Sequence, residues 1–267
     1  MAWNWREQVF PKRENLTADI TSIDILKTVA IILMIIDHVG YLLFPGVEWF
    51  RVLGRMCVPI WFFLLGFSNS REVPTRWLVA GLIMFASSII VGLPPVPLSV
   101  LFTMALIRLV MVPFWGFLQR HAFYFWWIAL LLLFVGYATD MLVEYGTLGL
   151  LLAMTGYAKR HEGEVESWLG AHMQSLFMVM VLVGFGVIES LKFGFSGLAV
   201  MVLAGGFIAV YFVLQKFEVK TYPGTADDAS APLIRFCGRY TLEIYVIHLL
   251  ILKGVFGLKT LANSLIG

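Results

Sequence analysis

A lysine and a histidine on one apolar stretch raise the first chemical possibility. The run ITSIDILKTVAIILMIIDHVG, residues 20–40, holds Lys27 and His38 eleven positions apart. On a helix that is about three turns, which sets both side chains on one face roughly 16 Å apart along the axis. An imidazole titrates near neutrality and takes a proton from an amine or hydroxyl without special tuning, so His38 is a candidate general base. Lys27 stands where a phosphate contact at the inner end of a ligand groove is needed. Plainer roles stay open: an imidazole hydrogen-bonded between helices, and a lysine snorkelling to headgroups. An ionisable group at the centre of a membrane span costs roughly 2.5–3.5 kcal/mol on insertion scales, so such groups are seldom idle.

Other polar residues in apolar surroundings extend the set. Asp37 adjoins His38, but adjacent helical residues face apart, so it is a poor orienting partner within its own helix. Arg51 and Arg55 lie one turn apart. A hairpin through Phe44-Pro45-Gly46 brings Arg55 to the depth of His38, where it can pair with Asp37 or hold an oxyanion or anionic substrate. Arg108 falls near the middle of a span and needs a partner or a wet cavity, with Glu144 and Glu243 as candidate partners. Tyr245 and His248 are three apart and share a face, for hydrogen bonding between helices or for lining a cavity. Arg239 and Glu243, four apart, can pair on one helix. Thr21 to Asp24 reads as a capping box, with Asp24 in the first turn.

The elements that must position these groups follow from composition. The chain of 267 residues is 60% apolar and 13% charged, against about 25% charged in a soluble domain, which implies an integral membrane protein. Apolar runs are continuous over about twenty residues, which implies an all-α polytopic bundle instead of a β-barrel. A net charge of +2 and no basic cluster give no sign of nucleic acid binding. Cys57 and Cys237 are the two cysteines, expected as free thiols with no metal site. No cleavable leader is expected, because the first apolar run follows a long polar segment and is interrupted by charge.

About nine spans are predicted, at 23–44, 51–68, 77–93, 98–118, 122–139, 141–158, 171–191, 195–216 and 234–257. Residues 1–22 form a cytoplasmic or interfacial segment, 23–257 the bundle and 258–267 a tail along the surface. Arg6, Lys12, Arg13, Arg71, Arg76, Arg120, Lys159, Arg160, Lys216, Lys220, Arg235 and Arg239 gather at one end, with chiefly Lys192 and Lys259 at the other and Arg51 and Arg55 at the mouth of the second span. That asymmetry predicts a cytoplasmic N-terminus and an outward C-terminus; the chain is read as a multi-pass protein of the inner (plasma) membrane. The largest loop, Glu218 to Pro232, is expected to be cytoplasmic and mobile.

The segments LKTVAIILMIIDHVGYLLFPG, FRVLGRMCVPIWFFLLGF and LSVLFTMALI resemble the TraX family of membrane proteins, associated with N-terminal acetylation of pilin. The resemblance covers roughly the first 110 residues, with TLEIYVIHL near the end as a second anchor. That family is similar to the acyltransferase-three proteins and lysosomal heparan N-acetyltransferases, which take acetyl-CoA as donor. Lys27 stands where acyltransferase-three members carry arginine, a point charge in place of a fork.

The resemblance implies an acyltransferase passing an acetyl group from cytoplasmic acetyl-CoA, without metal, to an acceptor in or across the membrane. His38, with Asp37 beside it, then supplies the catalytic base. Lys27, Arg71 and Arg76 hold the donor's phosphates, and Arg55, Arg108, Tyr245 and His248 line the cavity or stabilise the oxyanion. The acceptor stays open among a protein N-terminus, a polysaccharide and a lipid. Two other classes also stay open: a non-catalytic subunit of a larger membrane complex, and a proton-coupled carrier using Asp37, His38 and Arg108.

Overall fold

A computed structural model describes residues 17–266, apart from positions 69, 71 and 227. Arg71, expected at the donor site, lies outside the described residues, as do residues 1–16. Among the described residues the fold is all-helical apart from a two-strand ribbon of β1 (Ile20–Thr21) and β2 (Thr221–Tyr222).

The first helix, α1 (Ser22–Leu43), begins where the sequence says it should. Thr21 Oγ1 accepts from the Asp24 N–H at 3.1 Å, and Asp24 Oδ2 accepts from the Thr21 N–H at 3.2 Å, a reciprocal capping box. The chain turns back into α2 (Glu48–Gly54) and, after a break at Arg55-Met56, α3 (Cys57–Phe67). Gly54 is where α2 meets α1: a Cβ there would overlap Asp37, so only glycine admits the close approach. Next come α4 (Thr75–Ile90), α5 (Val100–Arg120), α6 (Phe125–Phe134), the short α7 (Gly136–Asp140) and α8 (Gly146–Arg160). The rest comprises α9 (Glu162–Leu169), α10 (Met173–Phe193), α11 (Gly197–Gln215), α12 (Ala231–Arg239) and α13 (Thr241–Ile266).

Among the described residues, six helical stretches are long and apolar enough to cross a membrane: α1, α2 with α3, α5, α10, α11 and α13. The other three stretches expected as spans are shorter helices. α4 has 16 residues and α8 has 15, while the 122–139 stretch divides into α6 of 10 residues and α7 of 5. A straight crossing of the hydrocarbon core takes about 20 residues, so these three fall short of it. Hydropathy does not register the breaks at Val135 and Tyr145.

α8 is deeply enclosed, with every residue from Leu151 to Ala158 buried. It lies against α3 at contact distance. Gly66 abuts the Ala153 carbonyl and Gly156 abuts the Phe63 carbonyl, so neither position has room for a Cβ. Small residues at a crossing let two backbones approach and gain dispersion contacts where lipid supplies no hydrophobic drive.

Two expectations are corrected at the basic end. The 218–232 loop is anchored: Ser22 N–H donates to the Lys220 carbonyl at 2.8 Å and Ser22 Oγ to the Glu218 carbonyl at 2.8 Å. The hydrogen bond from Lys220 also holds the exposed Glu218 carboxyl below its ordinary range. The 234–257 stretch is not one helix, because the chain breaks at Tyr240 between α12 and α13. Arg239 therefore leaves Glu243 and lies 3.5 Å from Asp24 Oδ2, where α12 docks on the first turn of α1. The expected surface tail at 258–267 continues α13 as far as Ile266.

Candidate functional site

A cavity of about 430 Å³ runs beside α1. Ile23, Lys27, Met34 and His38 all face it, so one stripe of the helix lines it from the first turn to the depth of the histidine. At the end near Lys27 it is bordered by Arg76, Arg108 and Arg160, and by the anchored loop through Val219. Arg160 donates to the Phe67 carbonyl at 2.8 Å. Arg108 donates to Ser70 Oγ at 3.2 Å and to the Glu72 carbonyl, with its guanidinium 4.2 Å from the Trp77 ring centroid. These are partners that the candidates Glu144 and Glu243 did not anticipate. Arg76 lies 4.0 Å from Glu243 Oε1.

At the other end stand His38, Tyr245, Glu144 and Tyr145. His38 Nδ1 is 2.7 Å from His248 Nε2, and His248 Nδ1 is 2.6 Å from the Ile244 carbonyl of its own helix. The Tyr245 and His38 rings meet in a T-shaped contact, and the Tyr245 hydroxyl lies 3.4 Å from Ser99 Oγ. Glu144 is held by the crossing of two connections. Leu98 N–H donates to the Leu142 carbonyl and Glu144 N–H to the Leu98 carbonyl, while Glu144 Oε2 accepts from Val100 N–H at 2.8 Å.

Asp37 turns away from His38. Its Oδ2 accepts from Arg51 at 2.7 Å and from Arg55 at 2.8 Å, and its Oδ1 accepts from Arg55 Nε at 3.2 Å. Arg55 also donates to Glu189 Oε2 at 3.0 Å and to the Tyr145 hydroxyl at 2.9 Å. Pairing with Asp37, the plainer of the two roles open to Arg55, is therefore the observed one. Asp37, Arg55 and Glu189 are all buried. Buried charges of this kind persist only as a compensated set.

Tyr145 reaches Arg55 from a left-handed backbone position, φ 67°, unusual for a bulky residue. Asp140 Oδ1 accepts its N–H at 2.6 Å and helps fix that turn.

Of the residues expected at the site, the structure brings Lys27, Asp37, His38, Arg76, Arg108 and Tyr245 to the cavity wall. His248 is joined to it through His38, and Arg55 through Asp37 and Tyr145. Sequence reasoning missed Tyr145, Glu189 and the contribution of Arg160. Glu189 had a usable signal, a carboxylate inside the apolar run MVLVGFGVIES. Tyr145 had none, since its importance comes from a backbone conformation.

A family model described as TraX protein matches residues 22–256. The uncharacterized protein RP591 of Rickettsia prowazekii (strain Madrid E) is 23% identical over 237 residues, spanning 87% of this chain and 91% of its own length. No solved structure matches the chain. The family match takes in both walls of the cavity, from the capped start of α1 to the middle of α13, and on that extent the chain belongs to the TraX family of membrane proteins.

Proposed function

We propose that the protein is an acyltransferase of the inner membrane, drawing an acetyl group from cytoplasmic acetyl-CoA and passing it to an amine or hydroxyl acceptor. The observation that carries this is the shared stripe on α1: one cavity has cations at one end and an imidazole at the other. The separation of Lys27 from His38, roughly 16 Å at 1.5 Å rise per residue, is comparable with an extended pantetheine arm.

Lys27, Arg76, Arg108 and Arg160 hold the phosphates at the mouth, and Trp61 and Trp77 provide flat apolar walls beside them. His38 takes the proton of the acceptor as it attacks the thioester carbonyl, a contribution of about 10²–10⁴-fold for a positioned base. Tyr245 offers a hydroxyl to the developing oxyanion. Asp37 and Arg55 fix the wall on which His38 stands. The basic end of the bundle faces the cytoplasm by the distribution of lysine and arginine, which puts the cation-lined mouth on the side where the donor is found.

The test is transfer from labelled acetyl-CoA by purified protein in lipid, with added amine and hydroxyl acceptors. His38→Ala is expected to lower the rate by at least about 10²-fold. Lys27→Ala is expected to raise the KM for acetyl-CoA more than it lowers kcat. His38→Ala transferring as fast as wild type overturns the assignment of the base.

A further inference from the structure

We propose that His248 is a positioning residue that fixes the tautomer of His38, so that the two imidazoles work as one base with its open nitrogen on the cavity. The chain of deduction starts at a carbonyl. The Ile244 C=O has no proton to give, so its 2.6 Å contact with His248 Nδ1 requires that nitrogen to carry hydrogen. A neutral His248 is then left with a bare lone pair on Nε2. That atom lies 2.7 Å from His38 Nδ1, and the proton between them must belong to His38. A neutral His38 in turn keeps its lone pair on Nε2. Neither Nε2 nor any other ring atom of His38 has a further hydrogen bond among the described residues, and the residue lines the cavity.

The anchoring is local and rigid. Ile244 and His248 are one turn apart on α13, so the helix that carries the second imidazole also supplies the acceptor that orients it. The charged and titratable groups facing the pair are Arg51 and Arg55 from α2 and the turn after it, Lys253 and Tyr245 from α13, and Glu144 before α8. None of them hydrogen-bonds either ring among the described residues. Lys253 is engaged elsewhere, donating to the Met84 carbonyl at 2.9 Å and to Ser87 and Ser88 Oγ at 3.0 and 2.8 Å. Asp37, the carboxylate nearest in sequence, is taken up by two arginines. A second imidazole thus fills the place that a carboxylate fills in hydrolytic triads, where the third member orients the base and steadies its protonated form.

The proposal rests on the acyl-transfer reading for the direction of proton flow. His38 Nε2 takes the acceptor's proton as the new bond to the acyl carbon forms. Its Nδ1–H stays on the His248 lone pair throughout. His38 then returns the Nε2 proton to the sulfur as the carbon–sulfur bond breaks, giving a free thiol and the starting tautomer. The pair gains and loses one proton in each turnover and ends with none added or removed.

The tautomer can be read directly by ¹⁵N NMR of histidine-labelled protein in lipid nanodiscs, with His38→Ala assigning the signals. Wild type is expected to show His38 protonated on Nδ1 and bare on Nε2; the opposite form overturns the proposal. In the transfer assay, His248→Leu should lower kcat by about 10²–10⁴-fold and leave the KM for acetyl-CoA within about threefold. His248→Gln sets an amide oxygen near the place of Nε2 and should recover activity to within about tenfold of wild type. His248→Leu turning over within about threefold of wild type also overturns it. The NMR arm needs neither a variant at 248 nor turnover. Wild type with the expected tautomer and no acyl transfer supports the pairing and instead removes the acyltransferase reading.

Discussion

Asp37, Arg51, Arg55 and Glu189 form a linked set of two acids and two bases, paired in the order Arg51, Asp37, Arg55, Glu189. Removing Glu189 leaves the buried set with one uncompensated positive charge. Glu189→Leu is expected to destabilise the protein by about 3–5 kcal/mol, the range for breaking a buried pair, read as a lowered melting midpoint in detergent. The double variant Glu189→Leu with Tyr145→Phe should fall short of additivity, because both contact the same guanidinium. At this scale the sequence was partly legible. His38, Lys27 and the Asp37–Arg55 pair could be named, since spacing along one helix and one hairpin relates them. Glu189 could not be joined to Arg55, which lies 134 positions away, because nothing local encodes which helices meet.

The crossing of α3 and α8 depends on Gly66 and Gly156, each pressed on a carbonyl of the other helix. Gly156→Val must push the helices apart, exposing their backbones to side chains that no longer fit. The expected cost is about 1–3 kcal/mol or more, typical of overpacking, with loss of folded protein on size-exclusion chromatography. Gly163→Ala, which meets nothing within 4 Å, serves as the control and should behave as wild type. Helices themselves were legible from continuous apolar runs. Their ends were not, where a left-handed Tyr145 or the break at Tyr240 interrupts a stretch whose composition does not change. The α1 start is the counterexample, because Thr21 and Asp24 spell out a cap in adjacent residues.

Over the whole molecule, apolar side chains face outward as well as inward. Phe134, Ile90 and Trp127 are 86%, 82% and 68% exposed, which suits a surface solvated by acyl chains. The proposed orientation, with the basic end facing the cytoplasm, can be checked with an impermeant maleimide. Val96→Cys, in the exposed connection between α4 and α5, is expected to label on intact cells. Glu166→Cys, exposed on α9, should label only after the membrane is opened. The reverse pattern would turn the cation-lined mouth away from the cytoplasm. Membrane class was legible from composition alone, whereas the number of full-length spans was not, for the reason given by α4, α6 and α8.

Because Lys27 and His38 stand on one unbroken helix, the gap between them is a fixed ruler. No loop can shorten or stretch it. On the proposed acyl-transfer reading, a thioester carried on a clipped arm would give up either its grip at the entrance or its reach to the imidazole, and the protein would gauge its donor by length before any chemistry begins.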